Sequence, residues 1–242
     1  MDDPATRENI GVPKEDVPIK EKPLEFWEAT TASLEHPERN EDAVYNNGRD
    51  LALVLDGVGG EEGGAMASVL ALDVIRDNLN HEESDVTLIK QHMENVIRAA
   101  SETIAYDKES GLTTVVALKI VNSQQAKVAV IANVGDSRAY LLRNGQFSLL
   151  TVDDSILGED IRQKIDDATV PTDLNDFENN KFKKRNIITG SLGQDEPIEV
   201  HMTQVDLATG DKIILTTDGV HDNLTTGEMK KTLEDNEDDG AS

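Results

Sequence analysis

Three short acidic motifs stand out because each directly follows an apolar stretch that is typical of a β-strand. Asp56-Gly57 follows the apolar run at residues 51–55, and Asp136 and Asp218 hold similar positions later in the chain. Carboxylate and carbonyl oxygens are the ligands that hard divalent cations prefer. Each motif alone could be an ordinary turn, because Asp and Gly are common turn residues. Together they predict one metal centre in a hydrolase rather than a simple binding domain.

The composition limits the partners that this chain can have. Its 242 residues include 48 acidic and 23 basic side chains, so the formal net charge is −25. Most of these acidic side chains belong to a solvated surface, since charges are rarely buried without a partner. Such an acidic chain is poorly suited to nucleic acid, whose phosphates are bound by Lys and Arg. It is equally unsuited to an anionic membrane surface.

The absence of cysteine excludes several kinds of chemistry. Disulfides, thiolate zinc sites and a cysteine nucleophile are all ruled out. The sequence also has no apolar run long enough to span a bilayer, and its N-terminus lacks the pattern of a signal peptide. These features predict a cytoplasmic protein.

The periodicity of apolar residues predicts an α+β fold in which helices cover the faces of sheets. Residues 1–24 are polar and proline-punctuated, which predicts a disordered arm ahead of a domain that spans residues 25–242. The Asn144-Gly145 pair predicts a hairpin turn. The predicted strands are 26–33, 51–55, 113–121, 127–134, 138–143, 200–205 and 212–216, and the predicted helices are 65–79, 86–106 and one that begins near residue 226.

Five motifs occur in an order that points to one family. They are Asn40-Glu41-Asp42-Ala43, Asp56-Gly57-Val58-Gly59-Gly60, Gly111-Leu112-Thr113-Thr114, Asn133-Val134-Gly135-Asp136-Ser137-Arg138 and Thr217-Asp218-Gly219. The series resembles the metal-dependent protein phosphatases, which are the type 2C serine/threonine phosphatases, in their bacterial form. This resemblance covers residues 26–233 and implies a central β-sandwich of two antiparallel sheets flanked by helix pairs.

The resemblance also implies a mechanism and a set of metal ligands. Two Mn²⁺ or Mg²⁺ ions would activate a water that attacks phosphoserine or phosphothreonine directly. The implied partners are a phosphorylated protein substrate and an opposing serine/threonine kinase, with the phosphatase acting as a monomer. The implied site residues are Asp42 and Asp56, with Asp56 bridging the ions, the Gly57 carbonyl, Glu41 through water, Asp218 from the opposite sheet, and Asp136 at a third, weaker metal site.

Three departures from the family pattern leave an alternative open. Pro37 stands where the family often has a phosphate-binding Arg, so the nearby Arg39 is the candidate for that role. No His follows the glycine turn, where Val58 and Glu61 stand, and the proton donor is unassigned. The chain ends before the family's last Asp-Asn motif and final strand, so we expect a domain that is incomplete at its C-terminus. The alternative is therefore a pseudophosphatase that serves as a regulatory binding domain.

Two residue groups near Asp218 are not assigned a role in the metal centre. Asp222-Asn223 superficially resembles the missing Asp-Asn motif but belongs to the usual segment after Asp218, so it is not counted as its replacement. His221 is the histidine expected nearest to the site, and we expect it to be a loop residue rather than a proton donor.

Overall fold

The chain folds into two antiparallel sheets and a set of helices. The computed structural model describes residues 24–32, 40–58, 62–123, 126–157, 166 and 187–235. The strands in this part of the chain are β1 Asp42–Asn46, β2 Leu51–Val58, β3 Leu112–Thr113, β4 Val115–Asn122, β5 Lys127–Val134, β6 Arg138–Arg143, β7 Gln146–Leu149, β8 His201–Asp206 and β9 Lys212–Thr216. The helices are α1 Glu62–Leu79, α2 Val86–Tyr106, α3 Asp218–His221 and α4 Thr226–Asp235.

The two sheets have a simple order. The first runs β1-β2-β4-β5-β8, with β3 paired to β2, and the second runs β7-β6-β9. Every strand pair is antiparallel. This arrangement confirms the predicted α+β class and the two antiparallel sheets.

The strands β2, β4 and β5 are mostly apolar, and both faces of this part of the sheet are covered. One face packs against α1 and α2 through residues such as Leu53, Ile75 and Ile97. The other face meets the second sheet through residues such as Val116, Ile131 and Ala139. Continuous apolar runs are expected for strands that are buried on both sides.

Helix α2 has the bounds that its sequence predicts, and its first turn explains why it begins where it does. Asp85 is the N-cap, and its Oδ1 accepts hydrogen bonds from the backbone N–H groups of Thr87 and Leu88 at 2.7 and 3.1 Å. A carboxylate at this position satisfies N–H groups that have no partner within the helix. None of the helices in the described residues is long and apolar enough to cross a membrane.

The strand predicted at residues 26–33 is wrong for its described part, because residues 24–32 contain no strand. Phe26 packs against the core between the sheets, but side chains rather than a backbone ladder hold this segment in place. Asn46 Nδ2 donates to Glu28 Oε2 at 2.7 Å, and Asn40 Nδ2 donates to Thr30 Oγ1 at 2.6 Å. The apolar pattern therefore reported the burial of Phe26 and not a strand.

Two further features settle local predictions. The hairpin at Asn144-Gly145 is confirmed, with φ values of 51° and 73° at the two turn residues. Gly135-Asp136-Ser137 does not close a hairpin between β5 and β6, since these strands lie in different sheets. These three residues instead carry the chain from the first sheet to the second.

A fully buried lysine holds together the end of the first sheet opposite to Asp56. Lys119 Nζ donates to Asp50 Oδ2 at 3.0 Å, to Leu79 O at 3.0 Å and to His81 O at 2.7 Å. Its side chain has 0% exposure. All three of its donors are therefore used, and the sheet is tied to the end of α1.

We expect Lys119→Met to lower the free energy of unfolding by about 3 kcal/mol, because it leaves the carbonyls of Leu79 and His81 without this donor and removes the buried partner of Asp50. Urea denaturation followed by circular dichroism measures this change. The matched control is Lys108→Met at an exposed position, which should change stability little. Equal stabilities for the two variants would contradict the interpretation of Lys119.

Candidate metal centre

Two aspartates of the centre come from the first sheet. Asp42 and Asp56 lie directly opposite each other in the register of β1 and β2. Asp42 and Asp218 are close enough to Asp56 for their charges to raise the pKa of its carboxyl. Antiparallel pairing therefore brings together two carboxylates that stand 14 residues apart in sequence.

The second sheet contributes Asp218 and the residue that precedes it. Asp218 begins α3 immediately after β9, and Thr217 is the N-cap of this short helix. Thr217 Oγ1 donates to Asp42 Oδ2 at 3.0 Å across 175 residues of sequence. The centre therefore lies where the two sheets meet.

Asp136 completes the cluster at the crossing between the sheets. It is 9% exposed. Burial raises the pKa of Asp136 to about 7, and the charges of Asp218 and Asp153 add to this rise. The structure thus brings together all four of the aspartates that the sequence singled out.

The carboxylates of the cluster repel one another. Burial raises the pKa of Asp56 to about 9, and the nearby charges of Asp218, Asp42 and Asp136 raise it further. Burial also raises the pKa of Asp42, although the hydroxyl of Thr217 opposes this change. In the absence of a cation, burial and the neighbouring charges therefore favour the protonated form of Asp56.

The backbone around Glu41 and Gly57 is held between β1, β2 and α1. Glu41 O accepts a hydrogen bond from Gly57 N–H at 3.1 Å and another from Ser68 Oγ at 2.7 Å. A Cβ at Gly57 would collide with the backbone carbonyl of Gly64 in α1. Glycine is therefore required at this position, because α1 begins against the end of β2.

The donors of this centre fit a hard divalent cation. The carboxylates and the Gly57 carbonyl offer only oxygen, which suits Mg²⁺ or Mn²⁺ better than zinc or copper. Within the described ranges, no three His, Cys, Asp or Glu side chains are drawn together closely enough to enclose an ion by themselves. Backbone carbonyl and water would have to complete the coordination, as is usual for Mg²⁺.

Sequence reasoning missed two carboxylates beside the centre. Asp153 forms a buried ion pair with Arg138 at 2.8 Å, and Asp222 is close enough to contribute to the raised pKa of Asp136. The spacing between Asp218 and Asp222 could have predicted that Asp222 lies near the centre, because residues four apart on a helix share a face. Nothing in the local sequence places Asp153 near Asp136, since the contact depends on the fold.

Two other predictions have different outcomes. His221 is not a loop residue, because it lies in α3, where it is buried and its Nδ1 is 3.0 Å from Thr216 Oγ1. Arg39 and Pro37 lie outside the described residues, as do Gly59, Gly60 and Glu61. The role of Arg39 in binding the substrate phosphate therefore stays a prediction.

The raised pKa of Asp56 predicts a pH dependence for the metal-free protein. Its pKa rises from an ordinary 3.8 to about 9 on folding, so the folded state binds this proton more tightly than the unfolded state. The resulting stability is fully present below pH 3.8 and is lost as the pH rises through 9. Asp56→Asn has no such titrating group. The difference by which its melting temperature exceeds that of wild type should therefore increase as the pH rises.

Thermal melting in EDTA between pH 6 and pH 9 measures this difference. The gap should widen by several degrees, since ~1 kcal/mol shifts the melting temperature of a domain of this size by about 2–4 °C. A gap that stays constant with pH would show that Asp56 is ionised in the metal-free protein.

Comparison with known proteins places the chain in a family. The protein phosphatase 2C profile matches residues 31–237. The Listeria monocytogenes serine/threonine phosphatase stp is 30% identical over 210 residues, which cover 83% of this chain and 79% of that protein. The structure of the S. agalactiae serine/threonine phosphatase is 25% identical, with a TM-score of 0.66 over 81% of this chain and 80% of that one. The catalytic domain of the phosphatase PstP, solved in complex with two manganese ions, is 25% identical, with a TM-score of 0.63 over 81% of this chain and 78% of that one. The chain belongs to the protein phosphatase 2C family.

Proposed function

We propose that this chain is a protein serine/threonine phosphatase that depends on two Mn²⁺ or Mg²⁺ ions. The observation that carries the proposal is the meeting of Asp42, Asp56 and Asp218 from two sheets in one partly buried, mutually repelling cluster. Relatives that are named serine/threonine phosphatases support the activity, and a relative solved with two manganese ions supports the metal dependence.

The residues of the centre have distinct proposed roles. Asp56 would hold both ions, Asp218 would hold one of them from the second sheet, and Asp136 would serve a third, weaker site. Asp42 is oriented by Thr217, whose hydroxyl donates to it. Glu41 acts through water, and Gly57 contributes its backbone carbonyl. When bound, the ions supply a water of lowered pKa and offset the charge of the phosphate.

The proton on Asp56 links metal binding to pH. With a pKa of about 9 in the metal-free protein, Asp56 must lose its proton before its carboxylate can bind an ion. Metal binding therefore releases a proton and strengthens as the pH rises towards 9.

The substrate is a phosphorylated protein. We propose that this substrate is also the target of an opposing serine/threonine kinase and that Arg39 contacts its phosphate. We further propose that residues 25–242 form the phosphatase domain and that the phosphatase acts as a monomer. The net charge of −25 makes a nucleic-acid substrate unfavourable, because polyanions would be repelled. A catalytically inactive regulatory domain is the weaker alternative, because all four aspartates of the centre are present and assembled.

Hydrolysis of a phosphothreonine peptide in Mn²⁺ tests this function. We expect turnover that EDTA abolishes and that added Mn²⁺ restores, with a phosphotyrosine peptide hydrolysed far more slowly. Calorimetry with Mn²⁺ accompanies the assay. Metal binding without turnover would support the inactive alternative, and failure to bind Mn²⁺ would contradict the proposed centre.

A further inference from the structure

Two buried hydroxyl groups, on Thr114 and Ser137, lie between Asp56 and Asp136 and have no role in the function proposed above. Thr114 is 1% exposed and Ser137 is 0% exposed. Their side-chain oxygens are 2.7 Å apart, across 23 residues of sequence. Most side-chain hydrogen bonds go to backbone or water, so a buried bond between two hydroxyls is a specific link between two segments.

Thr114 holds both backbone polar groups of Asp56. It stands opposite Asp56 in the first sheet, between the paired residues Val54–Val116 and Gly57–Thr113. The Thr114 N–H donates to Asp56 O at 2.9 Å, and the Asp56 N–H donates to Thr114 Oγ1 at 3.1 Å. The Thr114 hydroxyl therefore accepts a bond that a backbone carbonyl would accept in a regular ladder.

The same side chain also contacts both flanks of Asp136. Its hydroxyl meets Ser137, and its methyl group occupies space that is open only because residue 135 is glycine. A Cβ on Gly135 would lie 2.6 Å from Thr114 Cγ2. Gly135 has a φ of 97°, a conformation that other residues rarely adopt. The crossing between the sheets is thus shaped around Thr114.

We propose that Thr114 is a positioning residue which, together with Ser137, couples the backbone of Asp56 to that of Asp136. This coupling sets the spacing of the carboxylates across the two sheets. It rests on the proposed function, since it takes Asp56 and Asp136 to be metal ligands. A change at Ser137 then reaches Asp56 through Thr114, which is the partner of the Ser137 hydroxyl.

Mn²⁺ binding to the purified 242-residue chain, measured by calorimetry, tests this coupling. Thr114→Val keeps the shape of the side chain and removes the hydroxyl, so its Kd for Mn²⁺ should rise roughly 10- to 100-fold, as for other residues that support metal ligands. Ser137→Ala should act in the same direction. The double variant should bind no more weakly than Thr114→Val alone, because both changes break the same bond. Thr114→Ser retains the hydroxyl and should bind nearly as wild type does.

The control is Thr203→Val in β8, away from the centre. It removes a hydroxyl whose oxygen is 2.9 Å from Leu150 O, to which it donates. Its melting temperature in EDTA measures the loss of stability caused by removing a hydroxyl that does not contact the centre. Its Kd for Mn²⁺ should match that of wild type. A wild-type Kd in Thr114→Val, or losses in Thr114→Val and Ser137→Ala that add, would overturn the coupling. If Thr114→Val fails to fold in EDTA, a wild-type Kd in Ser137→Ala would overturn it instead. Failure of the wild-type chain to bind Mn²⁺ is a different result, since it refutes the proposed metal centre itself.

Discussion

Replacing Asp56 with asparagine should lower kcat for a phosphothreonine peptide by at least about 10³-fold, which corresponds to about 4 kcal/mol of transition-state stabilisation. Asp56 stands opposite Asp42 in the sheet, the charges of Asp42 and Asp218 raise its pKa, and it is the residue proposed to hold both ions. An amide has no negative charge with which to hold two cations, so both charge stabilisation and positioning of the attacking water are lost. The measurement is steady-state hydrolysis in saturating Mn²⁺.

The fold of this variant should survive, and this makes the result interpretable. The raised pKa of Asp56 shows that its ionised form is unfavourable in the metal-free protein. Asparagine relieves that repulsion, so the melting temperature in EDTA should not fall. The matched control is Asp73→Asn on α1, which loses only a partly exposed ion pair with Arg76 and should keep full activity. Wild-type turnover by Asp56→Asn would contradict the proposed centre.

We expect Gly57→Ala to lower both the stability and the activity of the protein strongly. The new Cβ would collide with the Gly64 carbonyl and would lie 2.8 Å from Glu41 O. Backbone atoms cannot rotate away, so α1 would have to shift from the end of β2, at a cost of about 3 kcal/mol or more for overpacking at a rigid site. The shift would also move Glu41 and Gly57, and we expect activity to fall by at least about 10²-fold, as for other misplacements of this size.

Gly227→Ala in α4 is the control for this change. Its added Cβ would lie 4.0 Å from Thr225 Oγ1, an ordinary van der Waals distance. A glycine in a helix lowers stability relative to alanine by roughly 0.5–1 kcal/mol, so this variant should be slightly stabilised and fully active. Urea denaturation and the phosphothreonine assay on both variants measure the contrast. Similar stabilities in the two variants would show that α1 can move freely, against the packing described here.

The parts of the fold that sequence predicted are those decided by local pattern. The bounds of α2 follow from an apolar stripe at helical spacing, and those of β9 follow from a short aliphatic run between polar turns. The hairpin at Asn144-Gly145 follows from the positive φ that both residues tolerate. Each of these signals is contained within a few residues of the element that it predicts.

The parts that sequence could not predict depend on partners far along the chain. The strand predicted near Phe26 fails because no strand in the described residues pairs with it, which its own apolar pattern cannot reveal. The burial of Lys119 depends on carbonyls of Leu79 and His81, about 40 residues away. The aspartates of the centre were found through motifs. Thr114, Ser137 and Thr217 lie in the same motifs, but their roles were not predicted, because their hydrogen bonds depend on partners far along the chain.

The hydrogen bond from Thr217 to Asp42 spans 175 residues, and this separation has a kinetic consequence. We expect such a contact to form late in folding, since closing so long a stretch of chain costs entropy before the contact can stabilise it. A cation held at this junction therefore has little to bind in the transition state. Mn²⁺ should leave the refolding rate nearly unchanged and lower the unfolding rate instead, so that the metal increases the kinetic stability of the folded protein. Stopped-flow chevrons with Mn²⁺ and with EDTA would show this as a displaced unfolding arm beside a shared refolding arm.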